Sequence, residues 1–162
     1  MKNVLPRSNG GFTVIELLVT MGIMSLLFGF GFASFRDFSR RQQLAGVARS
    51  LKGELRLVQG KASAAEKPSG CGTNILSSYS FQITGSSSYK ITANCSGGVD
   101  VDIKTVNLSG GVTMLPTSGT ISFKVLGQGT NITAGSSFII TLTQQGTNNT
   151  SFVTVTSGGE IK

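Results

Sequence analysis

The segment GFTVIELLV, residues 11–19, places a single carboxylate, that of Glu16, inside an apolar run. No other ionisable side chain occurs between Phe12 and Phe35. As a helix, about 24 residues at 1.5 Å rise would extend roughly 36 Å, enough to cross a hydrocarbon core of ~30 Å. Placing a lone carboxylate in a membrane-spanning segment costs roughly 2.5 kcal/mol or more, so the presence of Glu16 indicates that its side chain has a function. We therefore expect residues 12–35 to form a transmembrane helix in which Glu16 has a specific role.

The residues before this run contain Lys2 and Arg7 and have no apolar core of their own. An ordinary secretory signal is cleaved after its apolar stretch, next to small residues. Here the small pair Gly10-Gly11 precedes the apolar stretch, so cleavage at this pair would leave the helix in the mature protein. The alternative is an uncleaved membrane anchor with a short cytoplasmic tail.

The segment GFTVIELLV closely resembles the processing site of type IV pilins and type II secretion pseudopilins. In that family a prepilin peptidase cuts after the glycine and methylates the new N-terminus. The resemblance implies a leader of residues 1–11, cleavage between Gly11 and Phe12, and N-methylation of Phe12. Glu16 then falls fifth in the mature chain, where the family keeps a glutamate. The resemblance also implies assembly into a filament, with other pilin or pseudopilin subunits, the prepilin peptidase and an inner-membrane assembly platform as partners.

Packing in a filament gives Glu16 a physical role. Cleavage creates an α-amino group on Phe12, one helical turn from Glu16, and a neighbouring copy would bring its own amine close. Such a pair attracts strongly at low dielectric, and the loss of one partner leaves an uncompensated charge. We expect the pair to act mainly on subunit register and recruitment. The alternative is a Glu side chain that reaches to the nearby membrane interface.

Charge alone leaves the membrane orientation open. Lys2 and Arg7 favour a cytoplasmic N-terminus, but Arg36, Arg40 and Arg41 follow the apolar segment. The resemblance and the cysteines favour a single-pass inner-membrane protein with an extracytoplasmic head, incorporated into a pilus or a periplasmic pseudopilus. The lipid bilayer is then the expected partner before assembly.

Beyond Phe35 the pattern changes to that of an amphipathic helix. Apolar residues recur at spacings of three and four, at Leu44, Val47, Ala48, Leu51, Leu55 and Val58. This single stripe predicts a stem over 36–67 that continues the first helix to about Ala65. Pro68, Ser69 and Gly70 would then end the helix.

The remaining segment, 68–162, is rich in Ser, Thr, Gly and Asn and contains short β-branched runs. These runs predict strands at about 79–84, 87–94, 99–108, 111–115, 120–126, 136–143 and 150–156. Glycine-containing pairs at 85–86, 97–98, 110–111 and 158–159 signal turns. We therefore expect an α+β fold: a long N-terminal helix packed on an antiparallel β-rich head of one or two small sheets.

This layout resembles one pilin subgroup, the H-type pseudopilins and the T-type fimbrial minor pilins. The residues that carry the likeness are GTISFKVLGQGTNITAGSSFIITLT (119–143) and SFVTVTSGGEIK (151–162). The resemblance implies a helix followed directly by an all-β domain of two sheets. One position departs from many major pilins, since Ala33 stands where they carry a helix-kinking proline.

The two cysteines, Cys71 and Cys95, predict one disulfide in a head outside the cytoplasm, and two free buried thiols are the alternative. Without any histidine, the chain lacks the parts of a catalytic triad or a common zinc site. We therefore expect no enzyme activity, no catalytic residue, no metal and no cofactor. Asp100 and Asp102 share one face of a predicted strand, which fits a weak cation site, an acid–base pair, or a solvated, edge-protecting face.

Basic character belongs to the stem, where 36–67 holds eight Lys and Arg against three acidic residues. Such a stem fits lipid head groups or acidic neighbouring stems. DNA is a further partner to consider, although the head lacks the clustered cations that DNA binding needs. The sequence thus predicts a structural subunit, a minor pilin or pseudopilin. The alternative is a binding module displayed on the filament, such as a DNA-uptake minor pilin or an adhesin.

Overall fold

The computed structural model describes residues 11–162, apart from the side chains of residues 30–34. One α-helix, α1 (Val14–Ser63), is followed by seven strands. These are β1 (Leu76–Ile83), β2 (Ser88–Cys95), β3 (Val99–Asn107), β4 (Val112–Leu115), β5 (Gly119–Lys124), β6 (Ser137–Gln144) and β7 (Thr150–Thr156). The predicted α+β fold is confirmed, and the strands begin and end within a few residues of the predicted bounds.

The helix ends close to the predicted residue, in a turn that satisfies its last carbonyl groups. Ala65 has a positive φ of 49°. The Ala65 N–H donates to the Ala62 carbonyl and the Glu66 N–H to the Lys61 carbonyl, the pattern of a Schellman motif. Glycine is the usual residue at this left-handed position, so Ala65 holds it at a steric cost.

The described chain divides into two compact units, one ending at Ser39 and the other comprising Arg40–Lys162. The second unit contains the C-terminal part of α1 and all seven strands. A four-stranded antiparallel sheet has the order β3-β2-β1-β5, and a three-stranded antiparallel sheet has the order β4-β6-β7. The chain leaves the three-stranded sheet after β4, forms β5 in the four-stranded sheet, and returns to the three-stranded sheet at β6.

One hydrophobic core unites the helix and both sheets of the second unit. The helix contributes the predicted stripe, extended by one further turn: Leu44, Ala48, Leu51, Leu55, Val58 and Ala62 are buried, and Val47 is partly buried. The sheets contribute alternate residues such as Phe81, Ile91 and Leu142. The amphipathic stem is therefore held by the head, because its apolar stripe is covered by the inner faces of the strands.

A disulfide joins Cys71 to Cys95, as predicted, with 5.9 Å between the two Cα atoms. Cys71 closes a short 3-10 turn after the helix, Ser69–Cys71, and Cys95 is the last residue of β2. Both cysteines are buried in the core. The bond thus links the segment that leaves the helix to the second strand of the sheet.

Candidate functional site

The start of α1 is set by Thr13. The Glu16 backbone N–H donates to Thr13 Oγ1 at 3.3 Å, and the Leu17 N–H donates to the Thr13 carbonyl at 3.1 Å. A helix begins with unpaired backbone N–H groups, and a threonine side chain at the preceding position satisfies one of them. Thr13 is therefore the N-cap of α1.

Glu16 lies at the third position of the helix, so Thr13 and Glu16 form the T-x-x-E pattern of a capping box. Sequence reasoning missed this signal, although it was readable in the chain. A carboxylate in the first turn also faces the positive end of the helix dipole. Glu16 is thus placed where its carboxylate can stabilise the start of the helix, and the intermolecular role expected from the sequence stays a prediction.

The expected cleavage site precedes this cap. Gly11 and Phe12 lie outside the helix, and Phe12 is 82% exposed. A Cβ built on Gly11 would meet no atom within 4 Å. The Gly11–Phe12 peptide bond is thus accessible and free of helical hydrogen bonding, as a peptidase substrate must be. Lys2, Arg7 and Gly10 lie outside the described residues.

The first turns of α1 expose apolar side chains on every side. The large apolar residues are all more than half exposed: Val14, Ile15, Leu17, Leu18, Val19, Met21, Ile23, Met24, Leu26, Leu27 and Phe28. A helix that is apolar all round is normally covered by lipid or by other helices. By length and hydropathy, no helix among the described residues qualifies as a membrane span.

Four cations form a stripe along one side of α1 within the second unit. Arg41, Arg49, Lys52 and Arg56 are separated by eight, three and four residues, spacings that place them on one helical face. Three are exposed and Lys52 is partly exposed. Between Gly11 and Lys162 no ion pair is found for these four side chains. We call them the basic stripe.

Asp100 and Asp102 lie on one exposed face of β3, an edge strand of its sheet, and each has its own partner. Asn94 Nδ2 donates to Asp100 Oδ1 at 2.8 Å, and Lys90 Nζ lies 3.6 Å from Asp102 Oδ1. Asn94 also accepts from Ser80, whose hydroxyl lies 2.9 Å from that of Ser122. A row of hydrogen-bonded polar side chains therefore crosses all four strands and ends at Asp100. Of the three interpretations of Asp100 and Asp102, this arrangement fits a solvated, edge-protecting face. Among the described residues, no cluster of three or more His, Cys, Asp or Glu could hold a metal ion.

A groove of about 560 Å³ lies between α1 and the end of β3. Its lining includes Gln43, Val47, Tyr89, Val106 and Leu108. Tyr89 is the one titratable group in that lining, and burial, reinforced by the charge of Glu54, raises its pKa to about 12. The phenol therefore stays protonated at neutral pH and is a poor general base.

The comparisons with known proteins bear on the N-terminal segment. Residues 6–32 match the family model of the prokaryotic N-terminal methylation motif. This match includes Gly11, Phe12, the Thr13 cap and Glu16. Neither the search of curated proteins nor the search of solved structures finds a match to the chain. The motif indicates a membrane-anchored precursor that assembles with other pilin subunits, and so supports a structural filament subunit of the pilin and pseudopilin type.

Proposed function

We propose that this chain is a minor pilin or pseudopilin, similar to the H-type pseudopilins and T-type fimbrial minor pilins, that works in a type IV pilus or a type II secretion filament. It is cut after Gly11 by a prepilin peptidase and methylated at Phe12. Residues 12–35 hold it in the inner membrane, with the head outside the cytoplasm, until the assembly platform passes it into the filament. Its activity is structural.

The observation that carries this proposal is the exposed apolar surface of Val14–Phe28, which lies within the residues that match the methylation motif. Burial of one large apolar side chain contributes roughly 1.5–3 kcal/mol. Eleven such side chains are more than half exposed here, so lipid or neighbouring helices would gain much by covering them. A filament provides that cover, because each helix packs against the helices of neighbouring subunits.

Glu16 fixes how neighbouring helices align along their axes in the filament. In the mature chain the amine of Phe12 is the new N-terminus, and a neighbouring helix brings that amine to Glu16. The carboxylate is accepted in an apolar surrounding because the amine compensates its charge. Thr13 contributes by starting the helix at a fixed residue, which sets the distance between Glu16 and the chain end.

The experiment compares wild type with Glu16→Gln and Glu16→Ala, expressed in full length with the assembly machinery. Gln remains compatible with a capping box but carries no charge. We expect both variants to be processed and membrane-inserted, with filament incorporation falling at least tenfold in each. Normal incorporation of Glu16→Gln, with loss only in Glu16→Ala, would show that capping is the role of Glu16. Mass spectrometry of the membrane fraction tests processing: an active protein that retains Met1–Gly11 would disprove the proposal as a whole.

DNA binding on the filament is the second candidate function, and the basic stripe is the observation that favours it. Phosphate contacts from several cations weaken steeply with salt, and each lost contact reduces the slope of log K against log salt by about 1. Arg49→Gln with Arg56→Gln should therefore lower both DNA retention and its salt slope. Lys124→Gln, an exposed cation on β5, is the control. DNA retention that is unchanged by the double substitution contradicts this candidate.

A further inference from the structure

The groove beside α1 is built from two walls of the second unit. One wall is a side of α1, and the other is the end of β3 with the loop that follows it. Tyr89 of β2 completes the lining. The volume of about 560 Å³ is in the range of small-molecule binding sites. We call this cleft the Tyr89 groove.

Tyr89 supplies the groove with a polar group that the fold leaves unused. The residue is only 2% exposed, yet its hydroxyl has no hydrogen-bond partner among the described residues. The hydroxyl of Tyr79, by contrast, donates to the Glu66 carbonyl at 2.6 Å. In the described part of the chain, the fully buried side-chain oxygens without a partner belong to Glu54 and Gln144, so the Tyr89 hydroxyl keeps some contact with solvent. Because Tyr89 lines the groove, this hydroxyl is placed to donate to a ligand there.

Four more polar side chains line the groove. Gln43 and Ser50 come from α1, and Asn107 and Ser109 come from the opposite wall. All four are exposed, and none of their side chains forms a hydrogen bond to another described residue. Side-chain amides and hydroxyls both donate and accept. Both walls can therefore exchange hydrogen bonds with a ligand that has donors and acceptors of its own.

The remaining side chains of the groove are aliphatic, and the lining is uncharged. Leu51 is buried, and three further aliphatic residues are half-buried: Val47, Val106 and Leu108. Among the described residues that line the groove, none is Lys, Arg, Asp or Glu. A cation would therefore find no carboxylate ligand. An anion would find no cation, and the charge of Glu54, which adds to burial in raising the pKa of Tyr89, already disfavours negative charge there.

Two classes of uncharged ligand fit the groove poorly. A purely apolar ligand would displace water from the polar side chains without replacing the lost hydrogen bonds, which costs free energy at each group. An extended peptide would pair with the open edge of β3. Ile103, however, is an extra residue in the pairing of β3 with β2, and such a bulge interrupts a regular edge.

We propose that the Tyr89 groove is a binding site for an uncharged carbohydrate. A sugar ring combines hydroxyl groups, which donate and accept, with C–H surfaces that pack against aliphatic side chains. The Tyr89 hydroxyl donates to a sugar oxygen, while Gln43 and Asn107 exchange hydrogen bonds with sugar hydroxyls from opposite walls. This inference goes beyond the proposed structural function, because it gives the head a ligand of its own and requires neither leader cleavage nor filament assembly.

The test measures binding of two disaccharides, maltose and N,N′-diacetylchitobiose, to the full-length chain by saturation-transfer NMR. The detergent is of the polyoxyethylene type, because a detergent with a sugar head group would compete for the groove. We expect at least one disaccharide to bind with a dissociation constant of roughly 1 mM or tighter. Inorganic phosphate and trialanine, as anionic and peptide probes, should not bind in the groove.

Three variants locate the binding. Ser50→Phe places a large ring in the groove from an exposed helix position and should abolish binding. Ser63→Phe makes the same change at the exposed end of α1, outside the lining, and should bind as wild type does. Tyr89→Phe keeps the ring but loses the hydroxyl, and should weaken binding about threefold to tenfold. Near-ultraviolet circular dichroism of the buried Tyr79 shows whether each variant is folded.

Failure of wild type to bind either disaccharide would overturn the inference. Unchanged binding in folded Ser50→Phe or in folded Tyr89→Phe, or an equal loss in Ser63→Phe, would also overturn it. Binding of trialanine or phosphate that Ser50→Phe abolishes, without binding of a disaccharide, would assign the groove to another class of ligand. These results do not bear on the proposed function, which fails if the leader is retained or if Glu16→Gln assembles normally.

Discussion

Lys104 on the edge strand β3 donates a hydrogen bond from Nζ to the Glu54 carboxylate on α1, fifty residues earlier in the chain. A β-bulge makes this contact feasible. Ile91 of β2 pairs with Lys104 and Thr92 pairs with Asp102, so Ile103 is an extra residue on β3. The bulge reverses the alternation of side chains, which brings Lys104 to the helix side while Asp102 stays on the outer face.

Replacement of Lys104 by Ala should lower the free energy of unfolding by about 1–2 kcal/mol. The Glu54 side chain is only 17% exposed, and its second oxygen, Oε2, is buried without a hydrogen-bond partner among the described residues. Loss of Lys104 would leave this carboxylate uncompensated, a costly arrangement that the partial exposure of Lys104 moderates. Urea unfolding of the full-length chain in detergent, followed by near-ultraviolet circular dichroism, measures the change.

Two further variants separate a charge effect from a packing effect at Lys104. Adding Glu54→Gln to Lys104→Ala should recover part of the lost stability, because the unpaired charge is gone. Lys162→Ala removes a pair with Glu160 in which both side chains are well exposed, and should cost less than about 0.5 kcal/mol. Equal losses at Lys104 and Lys162 would mean that the Glu54 pair contributes no more than a surface contact.

The strand bounds could be predicted from sequence because the head alternates short β-branched runs with glycine-containing turns. Gly97-Gly98 and Gly110-Gly111, for example, lie between β2 and β3 and between β3 and β4. All four of these glycines have positive φ, the conformation that glycine adopts most readily. The local pattern was therefore sufficient to find the ends of the strands.

The sheet partners were not predictable in the same way. Alternation shows which residues of a strand face a core but does not identify the neighbouring strand, so the pairing of β1 with β5 and of β4 with β6 came from the structure. The bulge at Ile103 could not be predicted either, because a bulge is defined by the pairing with the neighbouring strand. At the candidate site, the T-x-x-E pattern of Thr13 and Glu16 could be recognised from the sequence. It was missed because the same segment is apolar and resembles a family processing site, and these two features already gave Glu16 a role.

Asn131 takes the place of a neighbouring strand along the open edge of β5. Its side chain accepts from the Ser122 N–H at 2.9 Å and donates to the Thr120 carbonyl at 3.0 Å, while its backbone N–H donates to the Ser122 carbonyl. Asn131→Ala should therefore destabilise the head by about 1–2 kcal/mol, because two backbone groups lose their partners. Asn131→Asp should cost more, since a carboxylate has no proton to donate to Thr120.

Thermal unfolding of the full-length chain checks the Asn131 series, and Asn148→Ala is a control at an exposed loop position. Exposed positions without such contacts normally change stability by less than about 0.5 kcal/mol. If Asn131→Ala and Asn148→Ala unfold at the same temperature as wild type, the side-chain bonds to β5 do not contribute to stability.

Leu55 and Leu57 provide a matched test of how the helix is held by the head. Leu55 is fully buried against the sheets, whereas Leu57, two residues later on α1, is 52% exposed. Both changes to Ala remove the same atoms and have the same effect on helix propensity. We expect Leu55→Ala to cost about 2–5 kcal/mol through the lost burial and the cavity that remains, and Leu57→Ala about 0.5 kcal/mol or less.

Urea unfolding resolves the Leu55 and Leu57 difference directly. A similar small loss for both leucines would show that the stem is not packed on the head in solution. A large loss for Leu57 alone would place the covered face of the helix on its other side.

Tyr89 should make the stability of the head depend on pH in the alkaline range. Burial, with the Glu54 charge as the smaller cause, raises its pKa to about 12, and its ring lies 4.6 Å from that of Phe81. In the unfolded chain the phenol titrates near its usual pKa of about 10. Between these two values the unfolded state has lost the proton that the folded state keeps, so the free energy of unfolding falls as pH rises from about 10 to about 12.

The alkaline titration of the phenolate absorbance measures the Tyr89 pKa in the folded protein, and urea unfolding at a series of pH values measures the linkage. Burial also raises the pKa of Tyr79, so both phenols should titrate above their ordinary value while the protein is folded. Tyr89→Phe keeps the ring contact with Phe81. In this variant the free energy of unfolding should fall less steeply above about pH 10, and the fall that remains is the contribution of Tyr79. A folded wild type in which both phenols ionise near pH 10 would contradict the burial of Tyr89, because only a solvated phenolate forms so readily.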